Sequence, residues 1–229
     1  MCGRFALKVS WEELEEWYDV LNNGLPPFPE SYNINPSQPI PIIGCFNEAD
    51  KKKRELTFAR WGLIPFWWRK SMDDLPKSMN ARAEGIESKP FFKAPFRYRR
   101  CLIPVSGFYE WKGSKSPKQP WYISGARQPL LTFAGLYEEW IEPASGCEVL
   151  SATIITTEAN NFMKSIHRRM PVILQTEHFN DWLHGETSEL LKPCAENILQ
   201  AWPVSNRVNS AGYNTADCIQ PHEDNPGLL

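Results

Sequence analysis

The chain has 229 residues, 42% of them hydrophobic and 23% charged, with a formal net charge of −2. That is an ordinary globular composition, long enough to bury one large core or two small ones, and nothing global advertises attraction to nucleic acid, so any anion-binding surface must be local. The six cysteines, at 2, 45, 101, 147, 194 and 218, include no C-x-x-C and no paired spacing, which argues against a zinc site or a compact disulfide scaffold and for reduced thiols in the cytosol.

In chain order, MCGRF at 1–5 places a cysteine directly behind the initiator methionine. With Met1 removed, Cys2 carries a free α-amine and a thiol two carbons apart. An aldehyde condenses with that amine to an imine, and the thiol closes a five-membered thiazolidine. Alternatively, Cys2 is a small residue at a frayed end. KVSWEELEEWYDVL then predicts a helix: Ser10 and Glu13 form a capping box, Val9 and Leu14 occupy staple positions, and Leu14, Trp17 and Leu21 share one face. NGLPPFPESYNINPSQP reads as an extended loop.

Strands are predicted at 40–46, 55–63, 101–105, 108–112, 121–124, 130–137, 149–157 and 171–174, with GSKSPKQP as a hairpin loop. Short helices are predicted at 159–166, 177–183 and 189–191. The 20 prolines fit short strands and irregular connections, and the strands are not separated by regular helices. The expected architecture is therefore one α+β domain over 1–229, its core at about 2–220 followed by a short C-terminal tail, with a curved or barrel-like mixed sheet. No apolar stretch reads as a secretory signal or a membrane span, so a soluble cytoplasmic protein is expected, nucleoid-associated if bacterial.

Familiar catalytic signatures, from G-x-G-x-x-G to H-E-x-x-H, are absent. Polar groups stand instead inside apolar segments. Glu110 in SGFYEWKG shares a strand face with Phe108: it is either a desolvated carboxyl suited to acid–base work or an edge glutamate facing water. His167 in SIHRRMPVIL is a second candidate, with a structural histidine as the alternative. MNARAEG places Asn80 and Arg82 on one side of an extended segment, an amide beside a fork that fits phosphate. ARWGLIPFWWRK sets Trp61, Trp67 and Trp68 among cations, and FRYRR at 96–100 repeats the mixture, as a single-strand groove requires. Trp61 also fits a core, whereas Trp67 and Trp68 are adjacent and cannot both be buried by one face.

Seven stretches together, MCGRF, SYNINP, RWGLIPFWW, MNARAEG, CLIPVSGFYEWK, IITTEAN and IHRRMPVIL, resemble the SOS-response-associated peptidase family, in family order over nearly the whole chain. The resemblance implies a bifurcated, pseudo-barrel mixed sheet with peripheral helices. It implies an abasic-site sensor whose Cys2, after removal of Met1 by self-processing or an aminopeptidase, forms a thiazolidine crosslink that shields the lesion from cleavage, with AP-lyase chemistry alongside. By the same resemblance Asn80 orients the amine and sugar, Glu110 shuttles protons and His167 assists ring opening. Arg4, Arg82 and Arg169 become phosphate contacts, and Trp67 and Trp68 a wedge beside the lesion. The implied partner is single-stranded DNA, or its junction with duplex, bearing an abasic site. The protein is expected to be a monomer, with no metal, cofactor or membrane implied. The competing readings are an N-terminal-nucleophile amidohydrolase or peptidase built on Cys2, and a noncovalent DNA-binding module.

Overall fold

Two strands of 11 residues, β9 (Leu131–Ile141) and β10 (Glu148–Glu158), are the longest elements of the computed structural model and organise the rest. The structure describes residues 2–20, 24–47, 50, 52–113, 117–185 and 187–222. In chain order the elements before this pair are β1 (Phe5–Leu7), α1 (Trp11–Tyr18), β2 (Ser31–Ile34), β3 (Pro39–Gly44), β4 (Glu55–Trp61) and β5 (Asn80–Arg82), then α2 (Lys93–Tyr98), β6 (Arg100–Val105), β7 (Gly107–Lys112) and β8 (Gln119–Gly125). After it come α3 (Asn161–Lys164), β11 (Arg169–Pro171), β12 (Ile173–Leu174), α4 (Phe179–His184) and β13 (Leu199–Pro203).

Five strands close into a barrel. β10 pairs with β9 from Glu148↔Ile141 to Ile154↔Gly135, β9 with β6, β6 with β3, and β3 with β4, all antiparallel. β4 then returns to β10 in parallel at Ser151↔Arg60, which makes the barrel mixed. Its interior is tight: a Cβ on Gly135 would lie 2.6 Å from Ile103 Cδ1 and 2.9 Å from Cys101 Sγ. The last residues of β10 outrun both barrel neighbours. They pair in parallel with β5 (Ile154↔Asn80, Thr156↔Arg82) and antiparallel with β11 (Thr156↔Pro171, Glu158↔Arg169). This fork holds Asn80 and Arg82 along one edge of β10 and Arg169 along the other.

A second sheet, ordered β13-β8-β7-β1-β2, packs on the barrel. Its alternation is two-sided. Phe5, Phe108 and Ile123 join the main core, while Ala6, Tyr109 and Tyr122 join a smaller cluster with Val204, Val208 and Cys218. Gly107, where β1 meets β7, has no room for a side chain, since a Cβ would lie 2.3 Å from the Tyr122 ring.

The predicted N-terminal helix forms with both capping-box bonds, Glu13 N–H to Ser10 Oγ at 3.2 Å and Ser10 N–H to Glu13 Oε2 at 2.7 Å. Two turns alone are marginal, and burial of Leu14 and Tyr18 anchors them, with Tyr18 Oη 2.8 Å from Thr132 Oγ1. Asp19 ends the helix in the left-handed region, and Leu21 lies outside the described residues. The predicted strand at 55–63 stops at Trp61, because Gly62 has a φ of +124°. The segment 171–174 divides into β11 on β10 and β12 on β9. The predicted helix at 159–166 contracts to the single turn α3, capped by Asn160, and 177–183 becomes a 3-10 turn running into α4. The segment 189–191 becomes a 3-10 turn at Ser188–Leu190. GSKSPKQP does connect a hairpin, with Lys112↔Gln119 its last pair, although residues 114–116 lie outside the described ones. β2, in the segment read as loop, and β1, β5, β13 and α2 go beyond the sequence prediction. No helix among the described residues is long and apolar enough to cross a membrane.

Candidate active site

β1 and β7 run antiparallel with Phe5 opposite Phe108, and Tyr109 N–H donates to Arg4 O at 3.0 Å. Continuing that register carries the chain before Phe5 past Glu110. Cys2 is fully buried there. Its carbonyl accepts a 2.7 Å hydrogen bond from Asn80 Nδ2, so the second sheet and the forked end of the barrel meet at this residue. The thiol donates weakly to Arg4 O at 3.8 Å. The amide oxygen of Asn80 is buried and has no hydrogen-bond partner among the described residues.

Glu110 is 2% exposed, which decides between its two sequence readings. Desolvation pushes its carboxyl above the usual range, and the nearby His167 offsets part of the rise. His167 Nδ1 stands 3.8 Å from Glu110 Oε1 and accepts the Arg169 backbone N–H at 3.0 Å. The same Nδ1 also lies 3.1 Å from Arg169 O. Burial, and then the charge of Glu110, push the Cys2 thiol far up. An ordinary thiol has a pKa near ~8.5, which would leave a useful thiolate fraction at neutral pH; this buried one stays protonated. Carboxyl and thiol thus share one desolvated corner, with the half-buried imidazole at its edge.

Beside the corner lies a groove of about 560 Å³ that includes His167, Arg82, Trp111, Lys118, Lys164 and Arg168 in its lining. Arg82 is exposed. The other two arginines expected to meet phosphate are held internally. Arg4 donates to Asn33 Oδ1 at 3.2 Å, to Asn209 O at 2.9 Å and to Val208 O, and lies 5.9 Å from the Trp111 ring centroid. Arg169 grips both carboxylate oxygens of Glu84, at 2.7 and 2.9 Å, and Thr156 O at 2.6 Å.

Trp61 is wholly buried, whereas Trp67 is 39% exposed and rests edge-on against Phe91 at 5.6 Å. Trp68 is half-buried, its Nε1 donating to Ser71 O at 3.0 Å and its carbonyl accepting from Trp140 Nε1 at 2.8 Å. Phe66, not foreseen, is more exposed still at 53%. In FRYRR, Arg99 pairs with buried Glu138 at 2.8 Å, and Arg100 donates to the Phe96, Leu183 and Gly185 carbonyls. That leaves Arg97 and Tyr98 facing solvent. Sequence reasoning also missed Trp111, Lys118 and Lys164 in the groove, and Asn33, whose amide donates to the Val208, Ser210 and Tyr213 carbonyls at 2.7–3.2 Å.

A mixed barrel forked at one strand, with a second sheet delivering a buried cysteine to the fork, defines the class of protein. The family model for SOS response associated peptidase (SRAP) matches residues 1–211, and the chain belongs to that family. It is 39% identical over 228 residues to the abasic site processing protein YoaM of Bacillus subtilis, covering 96% of this chain and 97% of that one. It is 33% identical over 261 residues to the abasic site processing protein HMCES of Xenopus tropicalis, covering 96% of this chain and 78% of that one. Among solved structures, a Bacteroides thetaiotaomicron protein superposes with a TM-score of 0.84 at 28% identity, covering 96% of this chain and 100% of its own.

Proposed function

We propose that this protein processes abasic sites in single-stranded DNA, or at its junction with duplex, by forming a thiazolidine through Cys2 once Met1 has been removed, and that it acts as a monomer. The names of the two relatives support the lesion, and one observation carries the chemistry: a fully buried Cys2 whose carbonyl is fixed by Asn80 and whose thiol shares its buried surroundings with Glu110. Met1 lies outside the described residues.

The α-amine attacks the aldehyde of the ring-opened sugar, forming a carbon–nitrogen bond and a carbinolamine. As the sugar opens, His167 takes the proton of the anomeric hydroxyl and delivers one to the ring oxygen, so it ends as it began. Asn80 Oδ1 accepts from the amine and orients it. Burial raises the Glu110 carboxyl above the usual range and so favours its protonated form; Glu110 gives its proton to the carbinolamine hydroxyl, which leaves as water, and an iminium remains. The Glu110 carboxylate then takes the thiol proton. Sulfur adds to the iminium carbon, which closes the ring and returns Glu110 to its starting state. A protonated thiol suits this order, because sulfur becomes nucleophilic only after the iminium exists. Closing the ring removes the iminium that would drive β-elimination, so the thiol turns a strand-cleaving lyase into a protective crosslinker.

Arg82, Lys118, Lys164 and Arg168 supply cations for backbone phosphates along the groove, so affinity falls with salt. Trp67 fills the gap in the base stack where the base is missing.

The test combines intact mass with a denaturing gel after incubation with a single strand carrying one abasic site. Loss of the methionine mass and a heat-stable adduct, absent with undamaged DNA and with Cys2→Ala, are expected. Cys2→Ala lacking Met1 should retain some strand cleavage through its amine. A heat-stable adduct with that variant would refute the role of the thiol. Loss of Met1 without any adduct would favour amidohydrolase chemistry, to be tested with glutamine.

A further inference from the structure

Glu84 has no part in the chemistry above, yet it holds one of the arginines expected at the DNA backbone. Its carboxylate meets Arg169 in the paired-fork geometry that an arginine otherwise offers a phosphate, at 2.7 and 2.9 Å. Both terminal nitrogens of Arg169 are occupied, since Nη2 also donates to Thr156 O at 2.6 Å. The Glu84 side chain is 51% exposed while that of Arg169 is 16% exposed, so the carboxylate stands on the solvent side of the pair. Lys89 packs beside it, its Nζ donating to Glu84 O at 2.8 Å. Arg169 lines the same groove as Arg82, His167 and Arg168.

Holding His167 does not explain the pair. The imidazole is fixed by the backbone N–H of Arg169, and that backbone is set by its pairing with Glu158 in the β10–β11 ladder. The guanidinium and its carboxylate are free to serve another purpose.

We propose that Glu84 is a specificity-determining residue that occupies Arg169 in place of a backbone phosphate, so that DNA engages Arg169 only by displacing this carboxylate. The proposal rests on the groove being the DNA site. Its consequence is weak binding to undamaged strands: an intact backbone gains little from Arg169 because it must break an existing bidentate pair, whereas a covalently trapped lesion is not held by that contact.

Removing the carboxylate charge frees one cation for phosphate. For single strands each such contact steepens the salt dependence by a slope of roughly 0.7. Relative to 1 M salt, that corresponds to roughly eightfold tighter binding at about 50 mM and roughly fourfold at about 150 mM.

The experiment measures fluorescence anisotropy of an undamaged labelled single strand across a salt series, for the wild type, Glu84→Gln, Glu87→Gln and the Glu84→Gln/Arg169→Gln double variant. Glu84→Gln should bind tighter with the steeper slope, the double variant should lose the gain, and Glu87→Gln, the same charge change nearby, should give much less. In an adduct assay with excess undamaged competitor, Glu84→Gln should crosslink more slowly than the wild type. An unchanged slope, an equal gain in Glu87→Gln, or a gain that survives in the double variant overturns the proposal. Should Glu84→Gln fold poorly, the carboxyl ¹³C resonance of Glu84 in the wild type decides: it should shift when undamaged strand saturates the groove, and an unmoved resonance means the pair stays intact. Absence of a wild-type abasic adduct defeats the Cys2 reading. An adduct with an unchanged Glu84→Gln slope defeats this inference alone, and no strand binding by any variant defeats both.

Discussion

Replacing Glu110 with glutamine should make the protein more stable and less active, and the stability difference should depend on pH with a fixed sign. The carboxyl is buried and its pKa lies above the ordinary range, chiefly through desolvation. The native state therefore holds this proton at pH values where the unfolded chain has lost it, and stability falls with rising pH across that window. Below the unfolded pKa of about 4.3 the wild type carries no penalty; above the folded pKa it carries the whole of it. Glutamine keeps the shape and never ionises. Its advantage should be near zero at the acid end, grow as pH rises through the window and then level off. A single stabilising substitution commonly gains about 0.5–2 kcal/mol, and for a chain of this size 1 kcal/mol moves Tm by about 2–4 °C. Loss of a general acid–base group should at the same time slow single-turnover adduct formation by about 10²–10⁴-fold. Thermal melts of both proteins over a pH series, paired with quenched-flow adduct assays, read both effects. A Tm gap that shrinks as pH rises would mean that His167 or another cation holds the carboxylate in its charged form, and the acid role assigned to Glu110 would fall with it.

Gly135→Ala should cost about 1–3 kcal/mol by overpacking, because the new methyl would sit 2.6 Å from Ile103 Cδ1 inside the barrel. A chemical-denaturation midpoint checks this, and a neutral result would mean that the β6–β9 seam yields. Asn33→Ala should cost about 1–3 kcal/mol by removing the hydrogen bonds that its buried amide makes to three carbonyls of the 208–213 segment. Hydrogen exchange should then rise first in that segment, and uniform exchange would contradict its role as a local tie. Trp67→Leu should weaken binding to an abasic strand by about 1–3 kcal/mol while leaving Tm nearly unchanged, since the ring is partly exposed. A large fall in Tm would make Trp67 a packing residue.

The long strands were legible because each carries enough residues for its pattern to show. The closure of the barrel was not, since it depends on one short parallel pairing of Arg60 and Trp61 with Ser151 and Ala152, far apart in sequence and unmarked in either segment. β1 and β5 have three residues each, too few for a period of two to stand out from a loop. The helix α2 has no side-chain cap and a proline at its third position, so neither a start signal nor a propensity marks it. For the site, local sequence named the residue types and left their environments open. Glu110 alternates with Tyr109, yet both are buried, because β7 has the barrel core on one face and the small C-terminal cluster on the other.

The arginines show the same limit most sharply. A guanidinium reads identically in sequence whether it waits for phosphate or caps carbonyls, and the difference lies in partners brought from elsewhere. Arg4 is tied to Val208 and Asn209 at the far end of the chain, and Arg169 to Glu84 across the β10 fork. Arg82, two residues before Glu84 on the same short segment, stays exposed. One strand end thus presents a cation to the groove, and the turn after it presents the anion that covers the neighbouring cation. Adding the three arginines as equals would overstate the attraction of the groove for an intact strand. On the function proposed above, the anion built into MNARAEG loosens the hold on an intact backbone and leaves retention of the lesion to the bond at Cys2.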